Sequence, residues 1–245
     1  MRVDIVTLLP GVFDKIFDES VLGSAIRNGL IEIVVHQLRE YGDGRHRTVD
    51  DTPFGGGPGM VLKPAPLVAC LRDVRRLGSS APVIGLTPQG LPLDQTLVKE
   101  LAGFERIILV CGRYEGFDER IVHEFDLQLS IGDYVLTGGE IAAMAVVDAV
   151  SRMIPGTVGS HESVEQDSFY EGLLDHPQYT RPAAWEGLKV PKVLQDGNHA
   201  HIEKFRHCRS LLTTAVSRPD VFAAANLSEK DREALQSLLL SEQKN

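Results

Sequence analysis

The chain has 245 residues, 43% of them hydrophobic, and a formal net charge of -9. That suits one large domain or a core domain with a smaller appendage, and the acidic balance argues against a surface that attracts polyanions everywhere. The uncharged stretch Ser79 to Leu93 is broken by Pro82, Pro88 and Pro92, so no membrane span is expected.

The opening MRVDIVTLLPGVF carries Asp4 within a short apolar run, which reads as a first strand, Val3 to Leu8, and not as a signal peptide. Leu22 to Asn28, closed by Gly29, predicts a helix, and Leu30 to Leu38 a strand. Glu40 to Met60 is charged and glycine-rich without a period; a loop of that length is functional or disordered. Pro64 to Leu77 then predicts a helix closed by Gly78, Val83 to Thr87 a strand, and Asp94 to Ala102 a helix closed by Gly103. Strands are expected at Arg106 to Val110, Leu127 to Ile131 and Tyr134 to Leu136, followed by a helix from Glu140 to Met153 that stops before Pro155. Such alternation predicts an α/β fold with a mostly parallel sheet. No period survives from Gly156 to Pro182, which predicts a linker. Beyond it Asn198 caps a helix to about Ser217, Pro219 starts a short one, and Ser228-x-x-Asp231 opens a last one, together a small helical domain.

Charge is unevenly spread. Residues 1–175 carry 15 Lys+Arg against 26 Asp+Glu, whereas residues 176–245 carry 10 against 8. Two basic clusters, Arg45-His46-Arg47 and Lys204-Phe205-Arg206-His207-Cys208-Arg209, can hold phosphate at short range although the global field opposes it. Cys70, Cys111 and Cys208 form no C-x-x-C pair, which suits a reducing compartment and predicts a cytoplasmic protein.

The chemistry concentrates where apolar strands run into glycine-rich loops: Leu86-Thr87-Pro88-Gln89-Gly90, Val110 to Gly116 (VCGRYEG), and Ser130 to Glu140 (SIGDYVLTGGE). Ligands of open α/β sheets bind outside the carboxyl ends of strands, and glycine lets backbone N–H and C=O groups approach them. Neither G-x-G-x-x-G nor G-x-x-x-x-G-K-[ST] occurs, and Arg113 is the only cation in these loops. A polyphosphate is therefore disfavoured, and a nearly neutral ligand with many hydrogen-bonding edges, such as an adenosine-like group, is expected. His161, His176, His199 and His201 lack zinc-site spacing, so no metal is expected. Arg152 stands four residues after Asp148 on a predicted helix, where it either pairs with that acid or projects into the pocket to stabilise negative charge. Glu165-Gln166-Asp167 is either a solvated acidic loop or the source of a general base. Cys111, at an apolar strand end, reads as packing.

Several of these stretches, with RHRTVDD and GGGPGM (45 to 60), LVCGRYEGFDERI (109 to 121), VSRMIPG (150 to 156), DSFYEGLLDHPQYTRP (167 to 182) and VPKVLQDGNHAHI (190 to 202), closely resemble the bacterial tRNA (guanine-N1)-methyltransferases of the SPOUT superfamily. The resemblance spans nearly the whole chain. It implies a knotted α/β domain at 1–160 with a deep trefoil knot at its C-terminal end, an interdomain linker at 161–175 carrying the catalytic aspartate, and an all-helical tRNA-binding domain at 176–245. It implies methylation of N1 of guanosine 37 in the anticodon loop, in support of reading-frame maintenance, with S-adenosylmethionine as methyl donor, a tRNA bearing guanosine at 36 and 37 as substrate, and a homodimer as the working form. By motif, the donor site falls on Leu86, Thr87, Gly112, Tyr114, Gly116, Ile131, Gly132, Asp133, Tyr134, Val135 and Leu136, with Gly138 and Gly139 beside it. Asp167 takes the role of general base, Arg152 that of stabilising charge on the guanine O6, and Glu115 a supporting role. Arg45, Arg47, Lys204, Arg206 and Arg209 would meet phosphates. Two departures, Gln166 where relatives often carry an acid and Phe205 where they often carry Trp, imply weaker and more salt-sensitive tRNA binding. The competing readings are a non-catalytic RNA-binding protein retaining the fold, whose mark would be loss of Asp167 or Arg152, and a nucleotide-dependent oxidoreductase, which the missing dinucleotide fingerprint disfavours.

Overall fold

The computed structural model describes residues 1–159 and 161–242, the side chains of 161, 162 and 236–242 excepted. The chain divides into two compact units, Met1–His161 and Glu162–Asn245. Residues 161–175, expected as a linker, fall mostly within the second.

The first unit runs β1 (Arg2–Thr7), α1 (Ser20–Arg27), β2 (Glu32–Gln37), β3 (Asp50–Asp51), β4 (Val61–Leu62), α2 (Pro64–Arg76), β5 (Val83–Pro92), α3 (Gln95–Ala102), β6 (Arg106–Cys111), β7 (Leu127–Ser130) and α4 (Glu140–Arg152). Five of these strands form one sheet in the order β2-β1-β6-β5-β7, and all four neighbouring pairs are parallel. Both faces are covered, as parallel sheets require. The two-residue period of a strand sorts the side chains: Val3, Ile5, Ile107 and Leu109 pack with α1, α3 and α4, while Val6, Ile108 and Val110 pack with α2 through Leu67, Leu71 and Val74. Asp94 caps α3, its carboxylate accepting from Leu97 N at 2.8 Å.

One charge sits inside this core. Asp4 is fully buried on β1 and is held by Arg106 Nε at 2.8 Å, Arg2 Nη2 at 2.8 Å and His36 Nε2 at 2.6 Å. Burial pushes its pKa upward, but the hydrogen bonds from His36, Arg2 and Arg106 outweigh that and hold the carboxyl well below the usual carboxylate range.

Three expectations are corrected. The strand expected at Val83 to Thr87 runs on to Pro92, with an irregularity between Leu86 and Leu91 after which Leu91 and Pro92 rejoin β7. Gly90 permits this, since a Cβ there would meet Leu129 N at 2.3 Å. Tyr134 to Leu136 is not a strand: Gly132 has φ +147, Tyr134 N bonds Gly132 O at 2.9 Å, and the chain bends away from the sheet. The loop from Glu40 to Met60 is partly ordered by an antiparallel ribbon, β3 with β4.

The second unit contains α5 (His161–Glu165), β8 (Ala184–Trp185), β9 (Leu188–Lys189), α6 (His199–Ser217), α7 (Pro219–Ala224) and α8 (Glu229–Glu242). It is mainly helical but not all-helical, because β8 and β9 pair as an antiparallel ribbon around the turn Glu186-Gly187, both at positive φ. Asn198 caps α6 through His201 N at 3.3 Å, and Ser228 with Asp231 forms the reciprocal cap that opens α8. His207 of α6 reaches Asp231 at 2.6 Å.

Candidate active site

At the carboxyl ends of β6 and β7 and the irregularity within β5 the structure forms a cavity of about 280 Å³. Its walls are Leu86 to Gln89, Gly112 to Phe117, Leu129 to Gly132, Tyr134 to Gly139, and Ala142 at the start of α4. The expected donor residues Leu86, Thr87, Gly112, Tyr114, Gly116, Ile131, Gly132, Tyr134, Val135, Leu136, Gly138 and Gly139 are all on these walls, and so is Glu115. Asp133 is not: the bend at Gly132 leaves it off the cavity surface.

The walls are held together backbone to backbone. Gly139 N donates to Gly112 O at 2.7 Å, and Arg113 bridges Gly138 in an antiparallel contact. A Cβ at Gly139 would lie 2.8 Å from Cys111 Cα and 2.9 Å from Gly112 N, so only glycine allows the approach. Tyr114 occupies the left-handed region at φ +60, a costly conformation for a side-chain-bearing residue, which here turns the loop along the cavity. Beneath the wall Glu140 accepts from Thr7 Oγ1 at 2.8 Å and from Arg113 Nη1 at 3.1 Å. Among the described residues Arg113 is the only Lys or Arg that lines the cavity, and it is paired. Cys111 and Cys70 are buried thiols; burial raises Cys111 well above the ordinary thiol range and pushes Cys70 up to about 12. Neither suits a nucleophile.

The glycine-rich loop before β4 adjoins this site. Glu115 N bonds Met60 O at 2.9 Å, and the Glu115 side chain packs so closely on Gly59 that a Cβ there would meet its carboxylate at 2.1 Å. Nothing in the spacing of the sequence pointed to Glu115 as the neighbour of that loop. Arg45 and Arg47, both exposed, lie in the turn closed by the Asp43–Thr48 bridge.

The other expected residues lie elsewhere. Arg152 is half-buried in the last turn of α4 and is not on the cavity wall. Asp167 belongs to the second unit, exposed just after α5, and lines a separate cavity of about 500 Å³ with Gln166, Glu171, Asp175, Arg206 and His207. Arg206 thus shares a wall with Asp167, and among the described residues its Nε is buried without a hydrogen-bond partner. Lys204 is exposed on α6, and Arg209 stacks over Phe205 with its guanidinium 5.6 Å from the ring centre. Among the described residues no cluster of His, Cys, Asp and Glu could hold a metal ion, and no helix is long and apolar enough to cross a membrane.

Fold and cavity define an α/β protein with a glycine-lined cavity at the ends of parallel strands, in a sequence that lacks both G-x-G-x-x-G and G-x-x-x-x-G-K-[ST]. Similarity to known proteins narrows this. Residues 1–224 match the family described as tRNA (Guanine-1)-methyltransferase TrmD, and the chain belongs to that family. Proteins named tRNA (guanine-N(1)-)-methyltransferase from Syntrophotalea carbinolica and Geobacter sulfurreducens are each 50% identical to it, over 238 and 239 residues, covering 97% of this chain and 96% and 98% of theirs. A relative of the same name from Dehalococcoides mccartyi strain BAV1 is 48% identical over 244 residues, 99% of this chain and 98% of its own.

Proposed function

We propose that this protein is a cytoplasmic enzyme that methylates N1 of guanosine 37 in tRNA, using S-adenosylmethionine. The observation that carries the reading is the backbone-built cavity in a chain of this family. A volume of about 280 Å³, glycine approaches at residues 112 and 139, and a single paired cation suit a nucleoside-type donor with polar edges and no phosphates. When bound, the donor supplies an electrophilic methyl group on a sulfonium.

The protein's own residues then have definable tasks. Guanine N1 carries a proton and is a poor nucleophile until that proton leaves, so the Asp167 carboxylate accepts it as general base. Deprotonation moves negative charge onto O6, where the Arg152 guanidinium stabilises the transition state more than the ground state. Glu115 supports the donor side of the site from the wall it shares with Gly59. N1 lies on the pairing edge of the base, so the guanine must be unpaired, as an anticodon loop allows. Arg45, Arg47, Lys204, Arg206 and Arg209 take phosphates, a reading supported by the exposure of Arg45, Arg47 and Lys204. The donor domain (1–160) carries a trefoil knot, a reading that rests on membership of the family. Residues 161–175 link it to a tRNA-binding domain at 176–245, and the working form is a homodimer whose site joins the knot of one subunit to the linker of the other.

The test is methyl transfer from labelled S-adenosylmethionine to an unmodified tRNA with guanosine at 36 and 37, with digestion to nucleosides. The expected product is 1-methylguanosine from position 37 alone. Absence of transfer, or methylation at another atom, would overturn the reading.

A further inference from the structure

Glu140 opens α4 and is only 5% exposed. A carboxylate buried this far needs partners, and its partners come from different parts of the first unit. Thr7 Oγ1, at the end of β1, donates to Oε1 at 2.8 Å. Arg113 Nη1, in the loop after β6, donates to Oε2 at 3.1 Å. The positive end of the α4 dipole adds to both. This ion pair lies directly beneath the cavity wall: a Cβ at Gly138 would be 2.4 Å from Glu140 Oε2 and 2.8 Å from Arg113 Nη1. Arg113 and Gly138 also bridge backbone to backbone, and both line the cavity. Buried ion pairs often contribute no more stability than apolar side chains of the same shape, so stability alone is a poor account of this one. What sets it apart is that its members fasten two wall segments, 112–117 and 134–139, to each other and to strand β1.

We propose that Glu140 is a positioning residue which, through Arg113, holds the two glycine loops at the spacing that binds the methyl donor. The proposal rests on the donor reading of the cavity given above. Without the Glu140 charge, the Arg113 guanidinium loses its counter-ion and the loop after β6 loses its anchor. The walls then sample wider spacings, and donor binding must reorder them. The effect falls on affinity for the donor, because the groups assigned to proton transfer and charge stabilisation, Asp167 and Arg152, are untouched.

Titration calorimetry with S-adenosylhomocysteine on the full chain tests this. Glu140→Gln keeps the shape and an acceptor oxygen but removes the charge, and is expected to raise Kd about tenfold, the size of one weakened charge-assisted hydrogen bond. Arg113→Gln is expected to do the same, and the double variant to be no worse than either single one, because both remove one shared interaction. In methyl-transfer kinetics, KM for the donor rises while kcat changes little. Val146→Ala, a buried truncation on the same helix, provides the destabilised control and is expected to lower the melting temperature without the change in Kd. Unchanged Kd in Glu140→Gln with normal wild-type binding overturns the clamp alone, as does a loss confined to kcat, full additivity of the two variants, or an equal loss of affinity in Val146→Ala. A wild-type chain that fails to bind overturns the donor reading and the clamp together.

Discussion

Replacing Gly139 by alanine isolates the contact on which the cavity depends. The residue has φ -79 and ψ -2, a conformation alanine adopts without strain, so the added methyl is the whole perturbation. It would stand 2.8 Å from Cys111 Cα, 2.9 Å from Gly112 N and 3.2 Å from Cys111 C, all backbone atoms of a buried strand end that cannot rotate away. Restoring ordinary contact requires the segments around 112 and 139 to separate by roughly half an ångström, which stretches the 2.7 Å bond from Gly139 N to Gly112 O. Overpacking of this kind costs about 1–3 kcal/mol. If it falls on the donor-binding geometry, Kd for S-adenosylhomocysteine rises about fivefold to 150-fold. Calorimetric titration measures it, with a thermal melt taken without ligand to record any cost to the fold. Gly159→Ala is the control: among the described residues nothing lies within 4 Å of its Cβ position, and binding should not change. A Gly139→Ala protein that binds within twofold of wild type would refute the claim that this backbone approach shapes the site.

Asp4→Asn leaves Arg106, 2% exposed, without its counter-charge; it is expected to cost about 3–5 kcal/mol and to lower the melting temperature by about 10 °C in calorimetry. Because the Asp4 carboxyl is held below its ordinary 3.8 in the folded state, its stabilising contribution is complete above that pH and is lost as pH falls further, so the acid side of the wild-type stability profile should flatten in Asp4→Asn. The thiols of Cys70, Cys111 and Cys208 are all buried, and they are expected to resist a disulfide reagent at pH 8 in the native chain and to titrate fully in denaturant; fast native labelling would contradict the packing described. Lys204→Ala is expected to weaken tRNA binding and to reduce the slope of log affinity against log salt by about one, a change absent if this exposed lysine meets no phosphate.

How far the sequence could be read depended on the range of each signal. Strand and helix positions followed from local period and from caps such as Asp94 and Asn198, because the responsible contacts lie within a few residues. The glycine loops that line the cavity were legible for the same reason, glycine after an apolar strand being a local pattern. What failed required long-range pairing. Asp4 looks like an ordinary polar position on a strand; that it is buried depends on Arg106, 102 residues away and on a neighbouring strand. The insertion of β6 between β1 and β5, the return of β5 to β7 at Leu91, and the meeting of Glu115 with Gly59 likewise have no local signature. Tyr134 to Leu136 has strand-like composition, yet Gly132 turns the chain out of the ladder, and Asp133 leaves the cavity with it. Glu140 was visible only as the end of a glycine motif; one of its hydrogen bonds comes from Thr7, 133 residues earlier.

The division of the chain into two units bears directly on the proposed chemistry. Among the described residues, the cavity proposed for the donor is lined only by residues of Met1–His161, whereas Asp167 belongs to Glu162–Asn245. Donor binding and proton removal should therefore be separable by mutation, which an active site built from one loop would not allow. Asp167→Asn preserves shape and removes the base, so single-turnover methyl transfer at saturating donor and tRNA is expected to fall by about 10²–10⁴, the usual worth of a general base. S-adenosylhomocysteine should bind it as tightly as it binds wild type. Raising the pH distinguishes loss of a base from loss of shape: as hydroxide takes over proton removal, the variant should recover part of its rate, and wild type should gain little. A variant that loses donor affinity in step with turnover would mean that Asp167 shapes the donor site, and the assignment of separate tasks to the two units would fail.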